Sequence, residues 1–281
     1  MAVRCLNLRK TVFDTLYRPN HIRKCTKTTR FDPHESVIIR QPAVATTVPS
    51  ISPFPLKLET YVRLANIPYK NRFGGAMSSK GKIPWIQYKD DVIADSNFCI
   101  KYLNDKFSVD LDAELSRSQK GVARSLLTML EENTYWTLMY YRWMENLHPT
   151  VGFLFPAASP LKKRIIAYAG HRRAKTYLHG HGIGRHTRDE IYYIASRDLE
   201  SVSGILEDKP FLMGDKPTLV DTAAFGCLAN IVWHDVKSPQ NSMILNNFKN
   251  LEEYCYRLKE HTWPDWDQEI EKRKAIALRK K

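Results

Sequence analysis

Hydrophobic and polar positions along the 281-residue chain follow two different rhythms, and the change falls near Phe107. Before it, short β-branched runs alternate with segments of helical period. Ser36–Gln41 (SVIIRQ), bounded by Pro33 and Pro42, reads as a strand. A loop of about ten residues follows, longer than the two to six usual between strand and helix. Ser52 then opens a segment in which Leu56, Tyr61, Leu64 and Ala65 recur at helical spacing, with Lys57, Glu59 and Arg63 between them, and Pro68 ends it. Pro53 and Pro55 mark the first turn of that helix, where a missing N–H has no partner to lose. Tyr69–Phe73 reads as a second strand, Ile83–Lys89 and Val92–Ala94 as a hairpin turning at Asp90-Asp91, and Asp95–Lys106 as a helix.

Beyond Leu111 almost every segment carries the helical period. A long helix is predicted over about 112–147, with Tyr135, Trp136, Tyr140, Tyr141 and Trp143 as an aromatic core, then a Pro/Gly-rich break from His148 to Pro160. A basic helix follows from Leu161 to about Leu178, then the loop HGHGIGRH from His179 to His186 and a helix to about Leu206. The helix predicted from Thr218 to about Trp233 opens TLVD, with Thr218 and Asp221 at capping-box spacing. Ala224, Phe225, Leu228, Ile231 and Val232 then recur as in a buried central helix. This order predicts an α/β N-terminal domain over 34–107 and an all-α C-terminal domain over 111–265, between a basic disordered or targeting tail at 1–33 and a charged tail at 266–281.

Charge changes the picture once it is located. The net charge is +13, but residues 1–30 hold eight Lys/Arg and one acid, a net +7, which leaves +6 for the other 251 residues. The body is therefore only mildly basic, which argues against nucleic acid as the partner. The basic, acid-poor leader has the composition of a mitochondrial presequence or of a tail that lies on anionic membrane or binds proteins, so the expected location is cytoplasmic with a mitochondrial alternative. A hydrophobic fraction of 43% and a charged fraction of 26% are those of a globular protein. Five scattered cysteines without a C-x-x-C read as reduced thiols, neither a disulfide frame nor a zinc site. His171, His179, His181 and His186 lack metal-ligand spacing, and no metal is expected. Lys162, Lys163, Arg164, His171, Arg172, Arg173 and Lys175 make a basic helix side, read as a solvated face or as one that meets phosphates or lipid headgroups.

Three local features carry candidate chemistry. Ser52 stands at a helix start, either as a plain N-cap or as a hydroxyl that stabilises an anion at the positive end of the dipole. Ile83-Pro84 heads an apolar strand; a trans proline there simply begins the strand, whereas a cis bond would turn the N–H and C=O of Ile83 outward to pair with an extended peptide. Asp95-Ser96 opens the next helix, as a cap or as a pair in which Ser96 holds a carboxylate and Asp95 an ammonium. Together they describe a groove for a small peptide with a thiol and a free amino-acid end, and glutathione is such a ligand.

The blocks SPFPLKLETYVRLANIPY, GKIPWIQY, VIADSNF, GHGIGRH and DKPFLMGDKPTLVDTAAFG resemble, in order, the failed axon connections and metaxin-like branch of the glutathione transferase superfamily. The resemblance runs roughly from Glu35 to Trp263. It implies a thioredoxin-like N-terminal domain followed by the all-α domain, a glutathione transferase-like two-domain fold. It also implies that Ser52 takes the first position of the superfamily's C-x-x-C or S-x-x-C site, Pro84 its cis-proline, and Asp95 and Ser96 its γ-glutamyl pair, with Ile83 and Pro84 pairing with the cysteinyl backbone. Where redox relatives carry cysteine this chain has Ser52 and Pro55, so no thiol stands there for disulfide exchange. The implied function is glutathione binding, with conjugation to a small apolar electrophile in detoxification and, by analogy, homodimerisation. The alternative is a non-catalytic adaptor of the same fold, in axon development or mitochondrial import.

Overall fold

Val37, Ile39 and Gln41 point inward along β1 (Val37–Gln41) while Ile38 and Arg40 are half-buried, the alternation expected of a strand with one face on the core. In the computed structural model of the chain, which describes residues 36–43, 47–74 and 77–279, β1 pairs in parallel with β2 (Tyr69–Phe73) and antiparallel with β3 (Trp85–Tyr88). β3 pairs antiparallel with β4 (Asp91–Ala94), which gives the sheet order β2-β1-β3-β4. Two helices, α1 (Pro53–Leu64) and α2 (Ser96–Phe107), supply the rest of this layer's core. Leu58, Tyr61 and Val62 of α1 and Cys99, Ile100 and Leu103 of α2 pack with Val37, Ile39 and Ile86 of the sheet. This is the thioredoxin-like arrangement. The basic leader lies outside the described residues.

The second layer is helical. Ser116 and Gln119 form a capping box that starts α3 (Arg117–Met129), several residues later than the predicted start at 112. Asp112 instead caps a different helix, accepting the Leu219 N–H at 2.9 Å. A π turn at Leu130–Thr134, α4 (Tyr135–Tyr140) and a second π turn at Tyr141–Glu145 continue α3, the junctions at Leu130, Tyr135 and Tyr141 all keeping right-handed helical dihedrals. The segment predicted as a break contains α5 (Leu147–Leu154); its Pro149 falls in the first turn, where proline costs no hydrogen bond. Then come α6 (Pro160–His181), a 3₁₀ turn at Ile183–Arg185, and α7 (Arg188–Leu206), opened by a Thr187/Glu190 capping box.

α8 (Leu219–Val232) is buried at every position from Val220 to Val232. Its Thr218/Asp221 box forms as the spacing predicts, and Asp221 also accepts the Leu212 N–H at 2.9 Å and the Tyr254 hydroxyl at 2.8 Å. α9 (Pro239–Asn247), α10 (Lys249–Thr262) and α11 (Trp266–Arg279) complete the chain described. The run from 266, set apart on its charge, is thus a helix with Trp266, Ile270 and Arg273 buried.

The two layers meet along α1, which lies between the sheet and α8. Gly226 of α8 makes that approach close: a Cβ there would stand 2.5 Å from the Pro53 carbonyl oxygen. Being covered on both sides, α1 has no solvated face over its first ten residues apart from half-buried Phe54, and Lys57 and Glu59, expected among the polar positions, are 1% and 0% exposed.

Candidate functional site

Ser52 is held in place from behind. The buried Arg142 guanidinium donates to the Ile51 carbonyl and, at 2.9 Å, to Asn230 Oδ1, and Asn230 donates to the Ser50 carbonyl at 3.2 Å. Burial pushes the Arg142 guanidinium down to about 10. Ser52 itself is extended (φ −101°, ψ 127°) and occupies the N-cap position, but its hydroxyl makes no capping hydrogen bond. The proline pattern removes one of the two usual donors: a capping hydroxyl accepts from the second or third helical N–H, and the third residue here is Pro55. Pro53 and Pro55 together leave Phe54 as the one N–H donor among the first three helical residues.

The second and third features adjoin one another. The Ile83-Pro84 bond is cis. Trp85, which follows it, is opposite Ala94, which precedes Asp95, so the two motifs flank the same rung of the hairpin. Among the described residues the Ile83 N–H and C=O form no backbone hydrogen bond. Asp95 has φ +83°, accepts the Asn97 N–H at 3.1 Å on Oδ1, and takes the Lys82 ammonium at 2.6 Å on Oδ2. Ser96 is buried at the first position of α2. The carboxylate assigned to a ligand ammonium therefore carries an internal one, on an exposed and displaceable lysine.

Between the α1 and α2 starts lies a group that the sequence reading missed. The Lys57 ammonium is 2.6 Å from Asn97 Oδ1 and 2.6 Å from Glu131 Oε1, and Asn97 Nδ2 is 2.6 Å from Glu131 Oε2. These residues belong to α1, α2 and the first π turn, so the triad joins the two domains at the site. Burial lowers the pKa of Lys57 against the pull of Glu131. Phe54 and Tyr135 close the crevice alongside, ring centroids 4.8 Å apart. The void left among Pro53, Phe54, Lys57, Leu130, Glu131 and Tyr135 is about 10 Å³, room for one water at most. No sequence signal distinguishes Lys57 from the lysines of a solvated face.

His181 stacks on Trp136 with centroids 4.6 Å apart and bonds the Glu132 carbonyl at 2.8 Å, and His171 bonds the Trp143 carbonyl at 3.0 Å. Among the described residues no group of three His, Cys, Asp or Glu is placed to hold a metal ion. Cys99 and Cys227 are buried, and burial raises both thiols to about 12.

Comparison with known proteins agrees with this fold. The family model for the glutathione S-transferase N-terminal domain matches residues 53–149, and that for the C-terminal domain matches residues 195–258. Failed axon connections of Drosophila melanogaster is 32% identical over 240 residues, 79% of this chain and 56% of that protein, so the chain spans little more than half of that relative. Metaxin-2 of Mus musculus is 24% identical over 220 residues, covering 75% of this chain and 82% of the relative. The chain belongs to the failed axon connections and metaxin-like branch of the glutathione transferase superfamily. A transferase relative, isoprene-epoxide–glutathione S-transferase of Rhodococcus sp., is 28% identical over 225 residues, 75% of this chain and 93% of the enzyme. The fold matches that of human glutathione transferase theta-2, solved with glutathione and an unknown ligand, at TM-score 0.56 and 15% identity, over 86% of this chain and 88% of that one. Ser52 stands at the start of α1, Pro84 just before β3, and Asp95-Ser96 at the start of α2.

Proposed function

We propose that this chain is a glutathione transferase-fold binding protein that holds the γ-glutamyl end of glutathione, or of a similar peptide, without conjugating it, and acts as an adaptor. The observation that carries this is the closed crevice beside Ser52. The Lys57–Glu131–Asn97 triad and the Phe54–Tyr135 contact fill the crevice next to the start of α1, which supports a site without room for a second substrate on that side. The helix end adds little activation. Lowering a thiol pKa by two units takes about 2.7 kcal/mol, and a helix dipole supplies about 0.3–1 kcal/mol. Here two of the first three N–H groups are replaced by prolines. Asp95, Ser96 and the cis Ile83-Pro84 bond supply the ligand-binding side: Ser96 and the α2 start for a carboxylate, Asp95 for an ammonium once Lys82 moves aside, Ile83 for a peptide backbone. The likeness to failed axon connections and metaxin-2 supports the adaptor role, and metaxin-2 supports the mitochondrial location over the cytoplasmic one.

A second reading, weak conjugation to an electrophile such as an epoxide, has one observation in its favour. The Ser52 hydroxyl is not spent on its own helix, and a hydrogen bond from it to a thiolate is worth about 1.5–3 kcal/mol. The likeness to the isoprene-epoxide enzyme supports it too.

Calorimetric titration of glutathione into the full chain, beside Ser96→Ala, separates these. Binding that Ser96→Ala removes, with no conjugation of an epoxide or an activated aryl halide, is the expected result. Turnover that Ser52→Ala abolishes would establish the second reading. Absence of binding at millimolar glutathione would dispose of the γ-glutamyl groove itself.

A further inference from the structure

α6 buries one side and leaves an unusual one in water. Ala167, Ala174 and Leu178 face inward, and Gly170 lies so close to Trp143 that a Cβ there would be 2.3 Å from the indole ring. At about 100° per residue, the opposite direction belongs to Leu161, Ile165, Tyr168 and Arg172. The first three are 70%, 62% and 66% exposed, and Phe155, in the turn just before the helix, is exposed as well. Scattered single apolar residues on a surface need no explanation, but here they form one stripe that follows the helix axis.

The stripe is bordered by cations on both edges: Arg164 and Lys175 on one, Lys162 and Arg173 on the other. The whole segment from 146 to 188 contains eight Lys/Arg and no Asp or Glu. Tyr168 and Tyr177 take hydrogen bonds from Arg172 at 3.1 Å and Arg173 at 2.8 Å, contacts along the helix's own surface that leave the rings exposed.

We propose that the outward face of α6 is a docking surface for an anionic lipid bilayer. The charge decides the occupant: an acid-free, cation-edged helix complements a layer of anionic headgroups, and the aliphatic and aromatic stripe fits the boundary just beneath them. Phosphates alone would have no use for Leu161 and Ile165. The Lys and Arg stems lie along the edges of the stripe, so their charged heads reach the headgroups while the stripe enters. No described helix is long and apolar enough to cross a membrane, so the attachment is peripheral. This surface shares no residue with the proposed glutathione groove.

The test is cosedimentation of the full chain with phosphatidylcholine vesicles, with and without phosphatidylserine. Wild type is expected to bind the anionic vesicles, less so in high salt. The triple variant Leu161→Ser/Ile165→Ser/Tyr168→Ser should lose about tenfold or more in partitioning, because interfacial binding scales with buried apolar area. Equal binding by the triple variant, which would assign attachment to the leader or to charge alone, overturns the proposal. So does equal binding to neutral and anionic vesicles. A lipid-free dimer of wild type that the triple variant dissociates, in sedimentation velocity, would make the face a contact between copies and also overturn it. Should the triple variant misfold, Tyr168→Trp replaces it: its added emission is expected to shift to the blue on anionic vesicles, and an unshifted spectrum counts against the proposal.

Discussion

The Arg273 guanidinium stands 2.6 Å from the Glu59 carboxylate, and neither side chain reaches solvent. This pair fastens α11 to α1 across the domain boundary. Glu59 also accepts from Gln41 at 2.8 Å, Tyr69 at 3.1 Å and Asn71 at 2.8 Å, so it is the acceptor for a small buried network. Removing one partner of a buried pair costs about 3–5 kcal/mol, and Arg273→Ala is expected in that range by urea unfolding. An isosteric apolar double replacement often restores stability. Here Glu59→Leu/Arg273→Met should remain destabilised, because three donors lose their acceptor. A loss below about 1 kcal/mol for Arg273→Ala would contradict this account.

Gly226→Ala reverses the usual sign of a helical glycine replacement. Alanine normally gains about 0.8–1 kcal/mol in a helix interior. At this site the new methyl meets the Pro53 carbonyl oxygen at 2.5 Å and the Lys57 nitrogen at 3.2 Å, and overpacking of that kind costs about 1–3 kcal/mol. Gly204→Ala, at an exposed position of α7 with no atom within 4 Å of the added methyl, is the control and should stabilise. Calorimetric melting points of the two variants should therefore move in opposite directions.

Caps that look alike in sequence should respond differently. Thr187 accepts the Glu190 N–H and receives the Glu190 side chain in return, so Thr187→Ala should cost about 1 kcal/mol. Ser52→Ala, which removes no capping bond, should stay within about 0.5 kcal/mol of wild type. An equal loss in both would mean that the Ser52 hydroxyl does cap α1.

Much of this fold was legible. SVIIRQ, the hairpin around Asp90-Asp91 and the Thr218/Asp221 box are local signals, and each gave its element within a few residues. Local signals could not show that α1 is covered on both sides, since burial of Lys57 and Glu59 depends on α8 and on Arg273, more than two hundred residues away from Glu59. For the same reason the charged run after Trp266 looked like a tail: the acid that pairs with its arginine is remote in sequence. The places of Ser52, Pro84 and Asp95-Ser96 at element starts were legible because those signals are local. The Lys57–Glu131–Asn97 triad was not, because Glu131 reaches Lys57 from the other domain.

Acid should weaken this protein through His234. Burial pushes its imidazole from 6.5 down to about 4, with Arg142 adding to the effect, and its Nδ1 accepts the Val236 N–H at 3.1 Å. Between those values the unfolded chain binds a proton that the folded one refuses, so stability falls as pH drops through this window and rises as pH returns to neutral. The full effect is about 3 kcal/mol. His234→Asn places an acceptor near the same position without titrating, and should flatten the pH dependence of the urea midpoint between pH 4 and 6.5. An unchanged slope would remove His234 from the explanation.

The Glu59–Arg273 pair also sets an order of events during synthesis. The thioredoxin-like layer contains its whole sheet by residue 94 and both its helices by residue 107, and a domain of that kind ordinarily folds as it leaves the ribosome. Yet its central helix carries a carboxylate whose cation is translated 214 positions later. Until residue 273 emerges, that carboxylate has its donors Gln41, Tyr69 and Asn71 but no cation, and the face of α1 that α8 and α11 later cover stays open. Synthesis interrupted in the helical half would therefore leave α1 without its second cover, so the finished fold depends on translation having passed residue 273.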